Sequence, residues 1–182
     1  MKPLLKKRKI ELNVYFEPSE DTRSNKATDR LDQQVSALTK PLKKAVFTAL
    51  NFAGYSHKAK ITIAFVSVNE SQRLNNTFRS KDKPTNVLSF AQETDESQPN
   101  VDQFYINDPF FLGDLAICLN IVQQEATEQG KEFAQHLLHL VVHGTLHLLG
   151  FDHEQSDEDA REMEALEIDI LAALGIANPY EV

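Results

Sequence analysis

The chain has 182 residues, 41% of them hydrophobic and 25% charged, which suits one globular domain with its own core and excludes disorder throughout. Nineteen Lys and Arg stand against 27 Asp and Glu, a formal net charge of −8, so the total carries no polyanion-binding signature and its distribution has to be read instead. Cys118 is the single cysteine, which excludes an intramolecular disulfide and fits a reducing, cytoplasmic setting.

Residues 1–9, MKPLLKKRK, form a basic N-terminus expected to be flexible; no apolar stretch of signal-peptide length follows, and no run of about twenty apolar residues occurs elsewhere. A soluble protein with no membrane partner is expected. IELNVYF (10–16) alternates apolar and polar residues, the period of a half-buried strand, and PSEDTRSNKATD after it reads as a loop leading into a helix. Ala45, Val46, Ala49, Leu50 and Ala53 then recur at helical spacing up to a stop at Gly54. KITIAFVSVN (60–69) alternates again, and Asn69 is a candidate N-cap for a short helix through ESQRLNNTFR. Pro84 ends any helix before TNVLSF (85–90), which has strand character.

Residues 91–110, polar and holding Pro99 and Pro109, read as a long surface excursion, and FLGDLAICL as a further strand. Cys118, inside that apolar run, is expected to pack as a small hydrophobe. Asn120 is a candidate cap for a helix to about Gln129, closed at Gly130; a longer helix spans Lys131 to Leu149, and a last amphipathic one runs from about Asp157 to Leu174 before Gly175. After His153 nine acids, Glu167 among them, meet one base, Arg161, so residues 1–153 balance at 18 of each sign. This acidic segment is expected to be the solvated face of a helix. Strands and helices that do not alternate strictly point to an α+β domain rather than a doubly wound sheet.

The helix from Lys131 is apolar nearly all round, through Phe133, Leu137, Leu138, Leu140, Val141, Val142, Leu146, Leu148 and Leu149, and such a helix is buried. His136, His139, His143 and His147 step by three, four and four along it, which aligns them on one stripe. His143 and His147, one turn apart, can aim at a common atom as H-x-x-x-H zinc pairs do. Gly150 stands where a helix end adopts the left-handed conformation, letting the chain reverse and return His153 to the pair. Three imidazoles with a fourth position open describe a catalytic zinc site, although imidazole also suits nickel, copper and iron. His139 can support the ligands, face substrate or simply pack; His136 and His57 are expected to be ordinary packed or surface histidines. Asp152 can orient the His153 imidazole or be a turn residue.

The spacing H-x-x-x-H-x-x-G-x-x-H is that of metzincin proteases, whose general base follows the first histidine. That position is Gly144 here, which weakens a peptidase reading. HGTLHLLGFDH (143–153) instead closely resembles the H-G-x-L-H-L-x-G-Y-D-H signature of the bacterial rRNA maturation endoribonucleases, the YbeY family. LNNTFRSKDKPTNVLSF (74–90), LGDLAICL (112–119) and the C-terminal EMEALEIDILAALGIANPY are similar to further blocks of that family in the expected order. Phe78 and Phe151 stand where tyrosine is common, and Asn86 where aspartate is.

The resemblance implies one domain over residues 1–182 with an α+β, zincin-like fold, a mixed β-sheet packed with helices around a central metal-bearing helix. It implies one Zn2+ per chain on His143, His147 and His153, and single-strand-specific endonucleolytic cleavage of RNA. It further implies processing of the 3′ end of small-subunit 16S rRNA, ribosome quality control, and the ribosome or small-subunit proteins as partners. A metal lowers the pKa of a bound water to about 7, so the missing glutamate matters less for such a reaction. Arg79 matches the family's catalytic arginine and offers a two-donor fork for phosphoryl charge. Lys81 and Lys83 are candidates for the flanking RNA backbone, Ser89 and Asp114 are weaker site-lining candidates, and Thr85 reads as a turn residue. Two other readings stay open: a metallohydrolase of another substrate, and a ribosome-assembly factor whose metal is structural.

Overall fold

Four strands pair in the order β1-β2-β4-β3 in the computed structural model, which describes residues 10–17, 26–93, 108–152 and 156–181. The basic segment 1–9, most of the excursion expected over 91–110, and His153 lie outside the described residues. β1 (Ile10–Phe16) runs parallel to β2 (Ala59–Phe65) in unbroken register from Ile10↔Ala59 to Phe16↔Phe65. β2 runs parallel to β4 (Phe110–Ile117) with a shift between Lys60 and Ile61, and β3 (Val87–Ala91) closes the sheet antiparallel to β4. The sheet is therefore mixed, and the domain is α+β as the element order expects.

The period of two is strictest in β2, where Ala59, Ile61, Ile63 and Phe65 are buried and the residues between them are half-buried. Such alternation fixes register, because a one-residue slip would turn the buried set outward. Six helices, α1 (Lys26–Ala37), α2 (Thr39–Phe52), α3 (Val68–Arg79), α4 (Leu119–Glu128), α5 (Phe133–Leu148) and α6 (Asp157–Leu174), complete the described elements. α2 buries Leu42, Ala45, Val46, Ala49 and Leu50, one stripe at helical spacing. α5 packs against α2, α4, α6, β3 and β4, which is why its surface is apolar nearly all round. Burying a large aliphatic side chain contributes about 1.5–3 kcal/mol, and Leu137, Val141, Val142 and Leu146 of α5 are all fully buried.

Two expected caps are corrected. α3 begins two residues earlier than an Asn69 cap allows, and Ser67 caps it by accepting a hydrogen bond from the Glu70 N–H at 3.1 Å. Ser67-x-x-Glu70 has the capping-box spacing. The reciprocal bond is missing because Arg73 grips both Glu70 oxygens at 2.6 Å, and Glu17 takes the Ser67 N–H instead at 2.8 Å. α4 starts at Leu119 with Cys118 at the cap position and no side-chain cap bond, so Asn120 lies inside the helix. α6 matches its expected span, capped by Ser156 at the Asp159 N–H, with Asp157, Glu158 and Asp159 in a first turn whose dipole favours negative charge. Among the described residues no helix is long and apolar enough to cross a membrane.

Candidate metal centre

α5 delivers the four histidines to one stripe, but their surroundings divide them. His136 is 5% exposed, its Nε2 sits 2.8 Å from Glu125 Oε2, and Asn86 Nδ2 donates to both Glu125 oxygens at 3.2 and 3.0 Å. This is the packed core histidine the sequence expects. His57 lies on an exposed turn, edge-on to Tyr55.

His143 and His147 differ in kind. Their rings stand 4.6 Å apart and their Nε2 atoms meet at 3.1 Å. Zinc holds histidine nitrogens at about 2.0–2.1 Å, so two tetrahedral ligands stand about 3.3 Å from each other, and the observed gap fits a shared ion. Among the described residues no third His, Cys, Asp or Glu completes a metal-binding group, and His153, the expected third ligand, lies outside them. The helix ends just past the pair in a Schellman arrangement, with the Gly150 N–H donating to His147 O at 3.0 Å and the Phe151 N–H to Leu146 O at 3.1 Å. Gly150 has φ +89°, the left-handed turn that its lack of a Cβ permits.

Behind His143 lies a carboxylate that composition alone hides. Glu167 belongs to the acidic C-terminal segment expected to be solvated, and that expectation fails for it, since it is 1% exposed. Asp157, Glu158, Asp159, Glu162, Glu164, Asp169 and Glu181 are exposed as expected. The His143 Nδ1 lies 2.6 Å from Glu167 Oε1, the Tyr180 hydroxyl donates to Oε2, and His139 Nε2 stands 3.7 Å from Oε2, an ion-pair distance rather than a hydrogen bond. Burial alone would push the Glu167 carboxyl up; His139, His143 and Tyr180 outweigh that and hold it at about 2. Burial and the neighbouring carboxylate push the Tyr180 phenol far up, so it stays a donor. With Nδ1–H committed to Glu167, His143 presents its Nε2 lone pair toward His147.

The pair opens on a groove of about 730 Å³, within the range of about 300–1,000 Å³ usual for ligand clefts. Arg79, Lys81, Ser89 and Asp152 line it with the two histidines. Lys83, His139 and Asp114 do not line it: Lys83 is exposed on the same loop as Lys81, Asp114 pairs with Phe90 in the sheet, and both His139 ring nitrogens are buried. Arg79 ends α3, and Ser80 follows with φ +54°. The loop after it is tied down by two polar side chains on the buried face of α3. Ser71 Oγ donates to Thr85 O at 2.7 Å and accepts the Thr85 N–H at 3.0 Å, and Asn75 Nδ2 donates to Lys83 O at 2.7 Å. Thr85 is thus a loop residue held to α3 by its backbone rather than the turn residue expected.

Gly144 explains itself from the sheet side. A Cβ there would lie 2.8 Å from Leu115 Cδ2 and 3.2 Å from Ser89 Oγ, which itself donates to Gly144 O at 3.3 Å. Leu115 is fully buried, so at the position that carries a carboxylate in metzincins any side chain here would have to displace Leu115 and Ser89.

The fold and the site together define an α+β protein in which two imidazoles of one buried helix, one of them braced by a carboxylate, face a groove edged by arginine and lysine. Residues 22–175 match the family described as Endoribonuclease YbeY. Proteins of that name from Acinetobacter baumannii and Burkholderia cenocepacia are 54% identical over 140 residues (77% of this chain, 85% of the relative) and 50% identical over 123 residues (68% and 65%). The chain belongs to the YbeY endoribonuclease family. The solution structure of a Thermotoga maritima protein is similar over 94% of this chain and 99% of that one, at 22% identity and a TM-score of 0.43; the family assignment stands on the sequence relatives.

Proposed function

We propose that the chain is a zinc-dependent endoribonuclease that cuts single-stranded RNA in ribosomal RNA processing, notably at the 3′ end of small-subunit 16S rRNA, with a part in ribosome quality control. The observation that carries this reading is the convergence of the His143 and His147 Nε2 atoms, 3.1 Å apart, on the groove that Arg79 also lines. The name shared by the relatives supports RNA as the substrate.

His143, His147 and His153 would hold the ion, in a zincin-like arrangement centred on α5. When bound, the ion supplies Lewis acidity and a nucleophile at neutral pH. Glu167 keeps the proton on His143 Nδ1 and so keeps Nε2 available. Arg79 presents parallel donors to the phosphoryl oxygens, where charge develops as the phosphodiester is attacked. Lys81 in the groove and Lys83 beyond it act on the flanking backbone as point charges, a contribution that weakens with salt. Peptide hydrolysis is disfavoured by the absence of a base at Gly144, where any side chain would crowd Leu115 and Ser89. The reading puts the protein in the cytoplasm with the ribosome or small-subunit proteins as partners, in keeping with its buried, unpaired Cys118.

The test is cleavage of a small-subunit rRNA fragment bearing the unprocessed 3′ end by wild type, His147→Ala and Arg79→Ala, purified identically. Cleavage by wild type alone, with both variants folded, is the expected result. Equal cleavage by all three, or by none, refutes the nuclease reading and favours an assembly factor with a structural metal.

A further inference from the structure

Four large hydrophobic side chains are exposed among the described residues, Tyr15 at 59%, Phe52 at 45%, Phe78 at 62% and Tyr180 at 44%. Phe78 is the most exposed of them and the one that lines the groove. It sits in the last turn of α3, next to Arg79, and its ring meets that of half-buried Phe90 on β3 at a centroid distance of 5.0 Å and an angle of 71°. That edge-to-face contact is one of the preferred aromatic geometries, and it anchors the Phe78 ring to the sheet while leaving most of it in solvent. The flanking residues on the groove wall, Arg79 and Lys81, are cationic. An aromatic face beside cations is the pairing by which single strands are held, the charges meeting the phosphates and the ring meeting a base.

We propose that Phe78, braced by Phe90, is a nucleobase-stacking subsite that seats one unpaired base of the RNA beside the phosphate held by Arg79. The inference rests on the endoribonuclease reading and deepens it. A base in a duplex has both faces covered by its neighbours and cannot stack on Phe78, so the subsite selects single strands by geometry. Stacking does not read base edges, so the subsite tolerates any base.

The chain contains no tryptophan, so Phe78→Trp places a single fluorescent reporter at the subsite. Titrations with a short single-stranded RNA, and with an abasic strand of the same length, run on a His147→Ala background so that the RNA stays whole. Expected are quenching of the Phe78→Trp emission by RNA but not by the abasic strand, and weaker RNA binding by Phe78→Ala. The weakening is about 5- to 150-fold, which is the stacking contribution of about 1–3 kcal/mol converted at 1.4 kcal/mol per tenfold. Phe78→Ala and its parent should bind the abasic strand equally. RNA binding unchanged by Phe78→Ala, or equal quenching by both strands, overturns the subsite. Cleavage of the rRNA fragment by the wild-type protein, measured in parallel, separates the two failures: if wild type cuts and Phe78→Ala binds normally, the subsite alone is wrong, whereas an inert wild type removes the nuclease reading and the subsite with it.

Discussion

Replacing Glu167 by glutamine keeps the shape of the side chain and removes its charge. The carboxylate is 1% exposed and faces His143 at 2.6 Å, the Tyr180 hydroxyl, and His139 at 3.7 Å. Its lowering from 4.5 to about 2 corresponds to roughly 3 kcal/mol favouring the charged form, at 1.36 kcal/mol per unit. The amide oxygen still accepts from one neighbour, but the amide NH2 then meets a donor on the other side. The expected loss is about 1–3 kcal/mol, the range for leaving a buried donor without an acceptor. At about 2–4 °C per kcal/mol for a domain of this size, the melting temperature should fall by roughly 2–12 °C. Competition with a chelating dye, well below that temperature, should show zinc held about 10- to 100-fold more weakly, as when a histidine ligand loses its carboxylate partner. A Glu167→Gln protein with unchanged melting temperature and unchanged zinc affinity would mean that Glu167 neither stabilises the fold as an anion nor orients His143.

Gly144→Ala should destabilise by about 1 kcal/mol, because overpacking of about 1–3 kcal/mol against Leu115 exceeds a helix-propensity gain of about 1 kcal/mol; a rise in melting temperature would show that Leu115 gives way. Glu125 carries a pH signature. Burial pushes its carboxyl up, and the hydrogen bonds from His136 and Asn86 overcome this and lower it below 4.5. A carboxyl lowered on folding stabilises above its ordinary value and loses that contribution as pH falls through the lowered one. Glu125→Gln should therefore flatten the acid side of the melting temperature against pH, and an unchanged acid limb contradicts this. Arg79→Lys should keep RNA affinity but lose about 10²- to 10³-fold in cleavage rate, since a point charge replaces a two-donor fork; full activity in that variant would make Arg79 a binding residue only.

The parts of the molecule legible in the sequence are those governed by periodicity. The alternation of IELNVYF gives β1 to the residue, and the three-four-four spacing of the histidines gives the His143–His147 convergence. Glu167 was masked by its company, one acid among nine after His153, yet its spacing betrays it: Met163, Glu167, Ile170 and Leu171 form the buried stripe of α6. A carboxylate in an apolar stripe needs a partner, and here that partner is a histidine. Ser71 and Asn75 escaped for the opposite reason. On a short, polar helix they look solvated, and only the path of the loop back over α3 reveals that they hold it. Asn69 and Asn120 show that cap-forming residue types are common enough near helix starts for the wrong one to be chosen when a neighbour, such as Ser67, does the capping.

The brace on His143 spans a long stretch of chain. Glu167 lies 24 positions after His143, and Tyr180, which steadies Glu167, lies 13 further on. Beside it, Lys131 at the foot of α5 donates to the Pro179 carbonyl at 3.0 Å and pins the same turn. Because a chain emerges from its N-terminus during synthesis, α5 and its histidines exist well before the residues that orient them. The brace is thus completed only after α5 has been made, and a nascent chain already displaying the HGTLHLLGFDH segment would still lack the support that aims His143.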